Sequence, residues 1–263
     1  MRAIANNAYP CEFCIGRIKV IIVDPHSDIL PYWFEEYLKR KRQIVAVRVD
    51  EHHDMHHQCL SLPAREGKGN WDYLSGLMSY LVDYARRRVN EGNFTCPAFH
   101  YGVLGALYHL NPRMDGINAY GRIRGLKLID APKTKEEHMI IGGKRSRWIF
   151  WDGAFTKLKN ECGKEYPVPK EITIEEFKRD LYQSHYPVSV GFDLDGLYSV
   201  RDSVPFEKAV ARRRERVRSL LECIRSPIFI CIARSQNPRT YVPAEKVGRL
   251  QEMAINLIEA IYG

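Results

Sequence analysis

The chain has 263 residues, of which 45% are hydrophobic and 27% are charged, and its formal net charge is +8 at pH 7. This apolar content is enough to bury a large core, and it excludes a collagen, a coiled coil and a wholly disordered chain. A positive charge of this size suits nucleic acid, anionic lipid or acidic peptide as a partner and does not choose among them.

In chain order, short β-branched runs alternate with longer amphipathic stretches. The apolar runs predict strands over residues 18–24, 43–49, 147–151, 188–194 and 228–233. Apolar side chains at helical spacing predict helices over residues 28–42, 71–90, 97–110, 174–182, 205–224 and 243–262. Residues 111–169 show no clear pattern apart from the one strand, with a loop expected over 163–169 and a role at the mouth of a pocket. The alternation indicates one α/β domain with a parallel sheet covered on both faces.

Neither the N-terminus nor the cysteines suggest secretion. Asn6 and Asn7 stand where a signal peptide requires an apolar core, and no apolar run reaches the roughly 18–20 residues of a membrane span. The seven cysteines are an odd number spread along the chain, as is typical of reduced thiols. We therefore expect a cytoplasmic protein with no membrane partner, and we interpret the Cys11–Cys14 CxxC pair as incidental.

Acidic and histidine clusters directly follow three of the predicted strands. They are DPHS at 24–27, DEHHD at 50–54 and DLD at 193–195. Ligands of parallel α/β sheets bind beyond the carboxyl ends of the strands, so we expect the three clusters to meet at one edge. Each cluster alone also fits an ordinary cap or a packed histidine, and the case depends on their joint recurrence.

The spacing within the clusters places several side chains on one face. In an extended chain Asp50, His52 and Asp54 project together, as do Asp193 and Asp195. Clustered carboxylates repel one another unless they are protonated or neutralised. Two divalent cations would neutralise them, and carboxylates combined with imidazole suit manganese, iron or zinc. His56 and His57 are assigned to the surroundings of this site or to the surface.

These motifs carry a resemblance to a known superfamily. DEHHD resembles the DxHxD element of the arginase/deacetylase (ureohydrolase) superfamily, VSVGFDLD resembles the SFDxD strand of arginases and agmatinases, and VDPHS resembles their upstream GGDHS. HSDILPYW, NFTCPA and IARSQNPRTYVP resemble the UPF0489 branch, which includes peptide arginases. The resemblance implies a three-layer α/β/α arginase-like fold with a mainly parallel sheet. It further implies a single metallohydrolase domain over 1–263, with 1–16 as an N-terminal extension.

The resemblance also implies a ligand set and a reaction. The six implied metal ligands are His26, Asp50, His52, Asp54, Asp193 and Asp195. Asp50 and Asp193 would bridge two divalent ions, with Mn²⁺ as the first choice and Zn²⁺ or iron as alternatives. His26 and Asp54 would complete one site, and His52 and Asp195 the other. A hydroxide shared by the ions would attack a planar carbon such as that of a guanidinium.

Two catalytic residues are expected on the same basis. Asp54 would orient the hydroxide and move protons, and His100, which follows NFTCPAF, is the candidate for a proton-shuttling histidine. For His100 the alternative is an ordinary helix histidine that faces the core or the solvent.

The chain departs from the arginase pattern at the substrate side of the site. Arginases have a late glutamate that holds the guanidinium, whereas this chain has Arg234 and Ser235 after the corresponding strand. We take both as substrate-binding candidates, with Arg234 binding a substrate carboxylate or an internal acid. Glu51 or Asp28 could replace the missing glutamate. A nearby Asp-Pro of arginases is also replaced, here by Gly196 and the residues after it.

The resulting prediction is a metal-dependent hydrolase of a non-peptide C–N bond, acting on a small molecule or on arginine side chains in a peptide. One alternative is a zinc-dependent deacetylase-like amidohydrolase with one metal and Tyr198 or Tyr241 as electrophile. The other is a basic nucleic-acid-binding protein, from the runs at 39–42, 86–88 and 212–218. Cations at helix ends and on solvated faces are the ordinary explanation of such runs, so nucleic acid is not the expected partner. The sequence leaves the substrate, the native metal and the formation of a homo-oligomer open.

Overall fold

An eight-stranded mixed β-sheet is the main element of the computed structural model, which describes residues 9–56, 58–62, 76, 78–152, 156–159, 165–182 and 184–263. The strands are β1 (Cys11–Ile15), β2 (Ile18–Val23), β3 (Ile44–Val49), β4 (Cys59–Leu60), β5 (Leu104–Leu110), β6 (Ile117–Tyr120), β7 (Arg122–Arg124), β8 (Lys127–Ile129), β9 (Thr134–Ile141), β10 (Lys144–Trp151), β11 (Thr156–Lys159), β12 (Glu165–Pro167), β13 (Lys170–Ile172), β14 (Val188–Asp193) and β15 (Phe229–Ala233). The helices are α1 (Leu30–Arg40), α2 (Met78–Arg88), α3 (Thr95–His100), α4 (Ile174–Tyr182), α5 (Phe206–Leu221) and α6 (Ala244–Tyr262). Short 3₁₀ turns occupy His26–Ile29 and Leu194–Gly196.

The order of strands in the main sheet is β1-β2-β15-β14-β3-β5-β6-β13. The five strands from β2 to β5 in this order are parallel. Antiparallel strands flank them, β1 at one edge and β6 with β13 at the other. The expected α/β class is therefore present, but the sheet is mixed. Short connections join β1 to β2 and β5 to β6, and connections of this length permit only antiparallel pairing, whereas β13 pairs with β6 after a long intervening segment.

The parallel strands end in register at one edge of the sheet. Ala233 of β15 pairs with Val23 of β2 and with Asp193 of β14, and Val49 of β3 pairs with the neighbouring Phe192. Residues that follow these strands therefore leave the sheet side by side. This register brings the three polar clusters of the sequence to one place.

Two hydrophobic cores lie on opposite faces of the sheet. Side chains alternate along a strand, so Val45 and Val47 of β3 enter one core while Ile44 and Ala46 enter the other. The first core contains buried residues of α4, α5 and α6, and the second contains buried residues of α1, α2 and α3. Helices thus cover both faces of the parallel strands, as their apolar composition predicts.

All five predicted strands are present, with bounds that differ by up to three residues from those expected. The strand predicted at 147–151 belongs to β10, which pairs with β4 and β9 in a separate three-stranded sheet. The helix predicted over 71–90 is present as α2, while residues 71–75 and 77 lie outside the described residues. The loop predicted over 163–169 includes strand β12, and residues 163 and 164 lie outside the described residues.

One predicted helix is wrong in its second half. The sequence pattern predicts a helix over 97–110, but the chain forms only the short α3 and then strand β5. All seven residues of β5 are buried, because the strand lies between β3 and β6 and is covered on both faces. A short run that is buried on both faces shows neither helical nor alternating periodicity, so the sequence pattern could not distinguish a helix from a strand.

The expected N-terminal extension contributes to the sheet. Residues 1–8 lie outside the described residues, but β1 pairs antiparallel with β2 and forms an edge of the main sheet. Cys11 and Cys14 are on β1, and all the cysteines in the described residues are free thiols. Within the described ranges, no helix has both the length and the apolar composition needed to cross a membrane.

A buried ion pair connects strand β7 to helix α4. Arg122 on β7 donates from Nε and Nη2 to Asp180 on α4 at 2.7 and 2.9 Å, and the Tyr108 hydroxyl donates to the same carboxylate at 2.9 Å. Both charged residues are at most 5% exposed. Removing one partner of such a pair leaves the other charge buried without compensation.

We therefore expect Arg122→Met to lower the free energy of unfolding by about 3–5 kcal/mol. Urea denaturation followed by circular dichroism measures this loss. The double variant Arg122→Met/Asp180→Leu removes both charges and should recover part of the stability. A double variant less stable than the single one would contradict this explanation.

Candidate metal centre

The three polar clusters meet in one open cavity at the carboxyl edge of the parallel strands. His26 comes from the turn after β2, Asp50 follows β3, and Asp193 is the last residue of β14. All three line a cavity of ≈ 740 Å³ together with His52 and Asp195. The sequence-based expectation that the clusters converge agrees with this placement.

The inner part of the cluster combines His26 with two carboxylates. Nδ1 of His26 lies 2.9 Å from Oδ2 of Asp50 and 3.8 Å from Oδ2 of Asp54, and these three residues form one group that could hold a metal ion. Oδ2 of Asp193 is 3.5 Å from the same nitrogen. All four side chains are buried. We call His26, Asp50 and Asp54 the inner group.

A second group lies closer to the solvent and shares one residue with the first. Nδ1 of His52 lies 2.8 Å from Oδ2 of Asp195 and 3.8 Å from Oδ1 of Asp50. Asp50, His52 and Asp195 form this second group, in which His52 is half-buried. We call it the outer group. Asp50 belongs to both groups, with one carboxylate oxygen toward each, so it has the position expected of a bridging ligand.

Sequence reasoning missed Arg48, which is fully buried within the inner group. Its Nη2 contacts the carboxylates of Asp50 and Asp54 and lies 3.3 Å from Nδ1 of His26. The available signal was a lone arginine in the otherwise apolar strand IVAVRV, two residues before Asp50 and hence on the same face. The cluster thus contains a cation of its own.

Neighbouring groups hold the acids of the cluster in place. The Ser235 hydroxyl donates to Asp193, whose Oδ1 also accepts from the backbone N–H of Asp195. The backbone N–H of Glu51 donates to Oδ1 of Asp195 at 3.0 Å. These bonds leave Oδ2 of Asp195 directed at Nδ1 of His52, so both atoms are placed to bind the same metal ion.

Burial and crowding shift the pKa values of the cluster in opposite directions. Burial raises the pKa of Asp54 to about 8, against the lowering effect of Arg48. Burial and the nearby Asp193 and Asp50 also raise the pKa of Asp195. Burial would raise the pKa of Asp50 too, but Arg48 and His26 hold it well below its usual range. Four buried carboxylates thus lie around the Arg48 guanidinium and the two histidines, an arrangement that favours binding of a further cation.

The pKa values of the histidines reflect the same carboxylates. Burial lowers the pKa of His52, but hydrogen bonding and attraction to Asp195 outweigh it and raise the value to about 9. The pKa of His26 also rises to about 9, because its bonds to Asp193 and Asp50 overcome burial and the charge of Arg48. Both rings thus attract positive charge, supplied by a proton or by a metal ion.

Two residues of the site have left-handed backbone conformations that residues other than glycine seldom adopt. Asp54 has φ 46° and Ser235 has φ 53°. Such positions cost free energy and persist where the surrounding contacts fix them. The Arg48 guanidinium fixes Asp54, and Asp193 fixes Ser235.

The structure places His100 and Arg234 away from the cluster. The two ring nitrogens of His100 lie 2.9 Å from Thr134 Oγ1 and 3.0 Å from Glu136 Oε1, and the residue does not line the cavity. Arg234 does not line it either, since its guanidinium lies 4.6 Å from the centre of the Tyr9 ring. Their proton-shuttle and substrate roles stay predictions without support from this geometry. Ser235 lines the cavity and positions Asp193.

The other predicted residues are divided between the cavity and the surface. Glu51 lines the cavity and pairs with Arg113 at 3.1 Å, whereas Asp28 lines a different depression. His56 lines the cavity edge, and His57 lies outside the described residues.

The mouth of the cavity is formed by seven residues, of which the sequence had pointed only to Tyr241, as the electrophile of the deacetylase alternative. They are Asn90, Glu91, Gly92, Arg201, Pro238, Arg239 and Tyr241. No described residue between 111 and 169 lines the cavity, contrary to the role expected of that region. Its contribution is indirect, since Tyr166 stacks on His53 with ring centres 4.4 Å apart.

Comparison with known proteins does not assign the chain to a family. No family model matches it, and a search of curated proteins gives no significant match. The arginase-like motifs are therefore a resemblance and not a family assignment.

Gly191 on β14 gives the His26 ring its place. A Cβ at this position would lie 2.7 Å from Nε2 of His26, closer than side chains pack. We expect Gly191→Ala to displace the buried imidazole and to lower the free energy of unfolding by about 1–3 kcal/mol. Chemical denaturation measures the change.

Gly248→Ala is the matched control, because a Cβ there meets nothing within 4 Å. Gly248 lies within α6, so alanine should stabilise the protein by about 0.5–1 kcal/mol. Equal stability of Gly191→Ala and the wild type would show that His26 is not fixed by this contact.

Proposed function

We propose that this chain is a metal-dependent hydrolase that cleaves a non-peptide C–N bond as arginases do. The observation that carries the proposal is the pair of ligand groups that share Asp50 at the carboxyl edge of the parallel strands, inside an open cavity. A three-layer arginase-like fold is part of the proposal, supported by the helix-containing cores on both faces of the sheet. Cytoplasmic location is proposed from the sequence alone.

Mn²⁺ is the ion proposed for the outer group. Two carboxylates and one imidazole form a donor set that suits manganese, with zinc or iron as the alternatives. A divalent ion bound there supplies a water-derived nucleophile at neutral pH and polarises the bond under attack. The resemblance implies a second ion in the inner group, where it would have to displace the guanidinium of Arg48.

The proposed substrate carries a guanidinium group, as an arginine side chain does, free or within a peptide. Glu91 supports this choice, because its Oε2 is buried in the described structure without a hydrogen bond while Oε1 accepts from the Tyr241 hydroxyl at 3.3 Å. A planar cation can donate to such a carboxylate. Glu91 thereby takes the role of the late glutamate of arginases. Arg201 and Arg239 at the mouth suit a carboxylate elsewhere on the substrate.

The first test follows metal content and urea release together. Protein stripped of metal and reloaded with Mn²⁺ should release urea from arginine, agmatine or an arginine-containing peptide. Asp195→Asn removes a ligand and should lower both Mn²⁺ affinity and urea release by more than about 100-fold. Asp83→Asn, which affects an exposed pair on α2, is the control and should change neither. Full metal content in Asp195→Asn would contradict the site, and no urea from any substrate would contradict guanidine hydrolysis.

The second test concerns Glu91. Glu91→Gln removes the negative charge beside the proposed guanidinium position without touching the outer group. We expect unchanged Mn²⁺ binding and a KM for the guanidinium substrate raised about 10- to 100-fold, as for loss of a charged hydrogen bond. Glu245→Gln at the start of α6 is the control for a lost surface charge. An unchanged KM in Glu91→Gln would remove the basis for choosing a guanidinium.

A second function is favoured by one observation. The Tyr241 ring packs edge-on against His52 of the outer group with ring centres 4.9 Å apart, and Tyr241 lines the cavity. One metal ion with a nearby tyrosine is the arrangement of a zinc-dependent deacetylase-like amidohydrolase. Acetate release from acetylated lysine peptides, lost in Tyr241→Phe, would select this alternative over urea release.

A further inference from the structure

The Arg48 guanidinium lies where a metal ion held by the inner group would lie. Its Nη2 contacts the carboxylates of Asp50 and Asp54 and is 3.3 Å from Nδ1 of His26. The potential ligand atoms of this group all lie within 4.8 Å of one another. A single nitrogen that reaches all three leaves no space between them for an ion, and its charge would repel one.

The surroundings of Arg48 hold it in this position. The side chain is 0% exposed, and its Nη1 donates to the backbone carbonyl of His53 at 3.1 Å. Its guanidinium carbon lies 5.0 Å from the centre of the Phe94 ring, which packs beneath it. The guanidinium keeps its charge at any pH the folded protein meets. Arg48 is thus a fixed internal cation.

The outer group has no such occupant. Among the described residues, the only cationic side chain that pairs with Asp195 is His52 itself, and no lysine or arginine does so. His52 is also partly open to the cavity, with 29% of its side chain exposed. A divalent ion can therefore bind Asp50, His52 and Asp195 by displacing only the proton between His52 and Asp195, without moving an arginine or lysine side chain.

We propose that Arg48 replaces one of the two metal ions of an arginase-like centre, so that the chain binds a single divalent cation in the outer group. This inference rests on the proposed function, because it concerns the same site. It replaces the count of two ions that the resemblance implies. Asp50 then bridges the bound ion and the Arg48 guanidinium.

The experiment counts Mn²⁺ ions per chain. After equilibrium dialysis against MnCl₂, elemental analysis should give one ion for the wild type and two for Arg48→Met, in which the inner group is freed. Electron paramagnetic resonance adds a second measurement on the wild type alone. It should show the six-line spectrum of an isolated Mn²⁺ ion, whereas two bridged ions give an exchange-coupled spectrum.

Control variants separate the effect of Arg48 from loss of a buried arginine. Arg122→Met removes a buried arginine of a different ion pair and should still bind one ion. His52→Ala should bind none, and His52→Ala/Arg48→Met should bind one in the inner group. If Arg48→Met fails to fold without metal, Arg48→Lys, which keeps a cation, should still bind one ion, and the wild-type spectrum still decides.

Two ions in the wild type, or an exchange-coupled spectrum, would overturn this inference and leave the proposed function intact. A folded Arg48→Met with only one ion would also overturn it. A wild type that binds no Mn²⁺ would overturn the proposed function, and the inference with it.

Discussion

The crowding of carboxylates at one edge of the sheet is the constraint on which the site depends. In-register pairing of parallel strands places Asp193 beside the residues that follow β3, so Asp50 and its neighbours cannot avoid one another. In a buried setting such acids need positive charge close by. Arg48 supplies it from within strand β3, where every other side chain is apolar. The ion pairs of Arg48 therefore belong to the architecture of the sheet edge as much as to the site.

This neutralisation divides the cluster into two halves with different properties. The inner half is buried, filled by a guanidinium and supported by the Phe94 ring. The outer half opens to the cavity, and its acids are oriented by the Glu51 backbone and by the Asp193 carboxylate. The division gives the inner half a structural role and leaves the outer half free to bind an ion. The basic excess of the whole chain has no part in this, since the cavity is acidic.

Much of the candidate site follows from the sequence, because its signals are local. Asp50, His52 and Asp195 stand directly after apolar strands, and parallel sheets gather such residues at one edge. The fold class follows from the alternation of strands and helices. The prediction of a helix over 97–110 fails because a strand buried on both faces has no periodicity to read. The prediction of a parallel sheet fails at the edges, since pairing becomes antiparallel beyond β2 on one side and beyond β5 on the other.

The sequence by itself determined which residue types stand at the strand ends, and hence a carboxylate and imidazole cluster suited to a cation. Only the tertiary structure decided which partners these residues meet. It brought Arg48 into the inner group, made Glu91, with its buried Oε2, part of the cavity lining and placed His100 beside Thr134 and Glu136. The physical reason is the distance along the chain over which each effect acts. Spacing along a strand fixes the face on which a side chain lies, whereas charge compensation depends on groups that lie far apart in the chain.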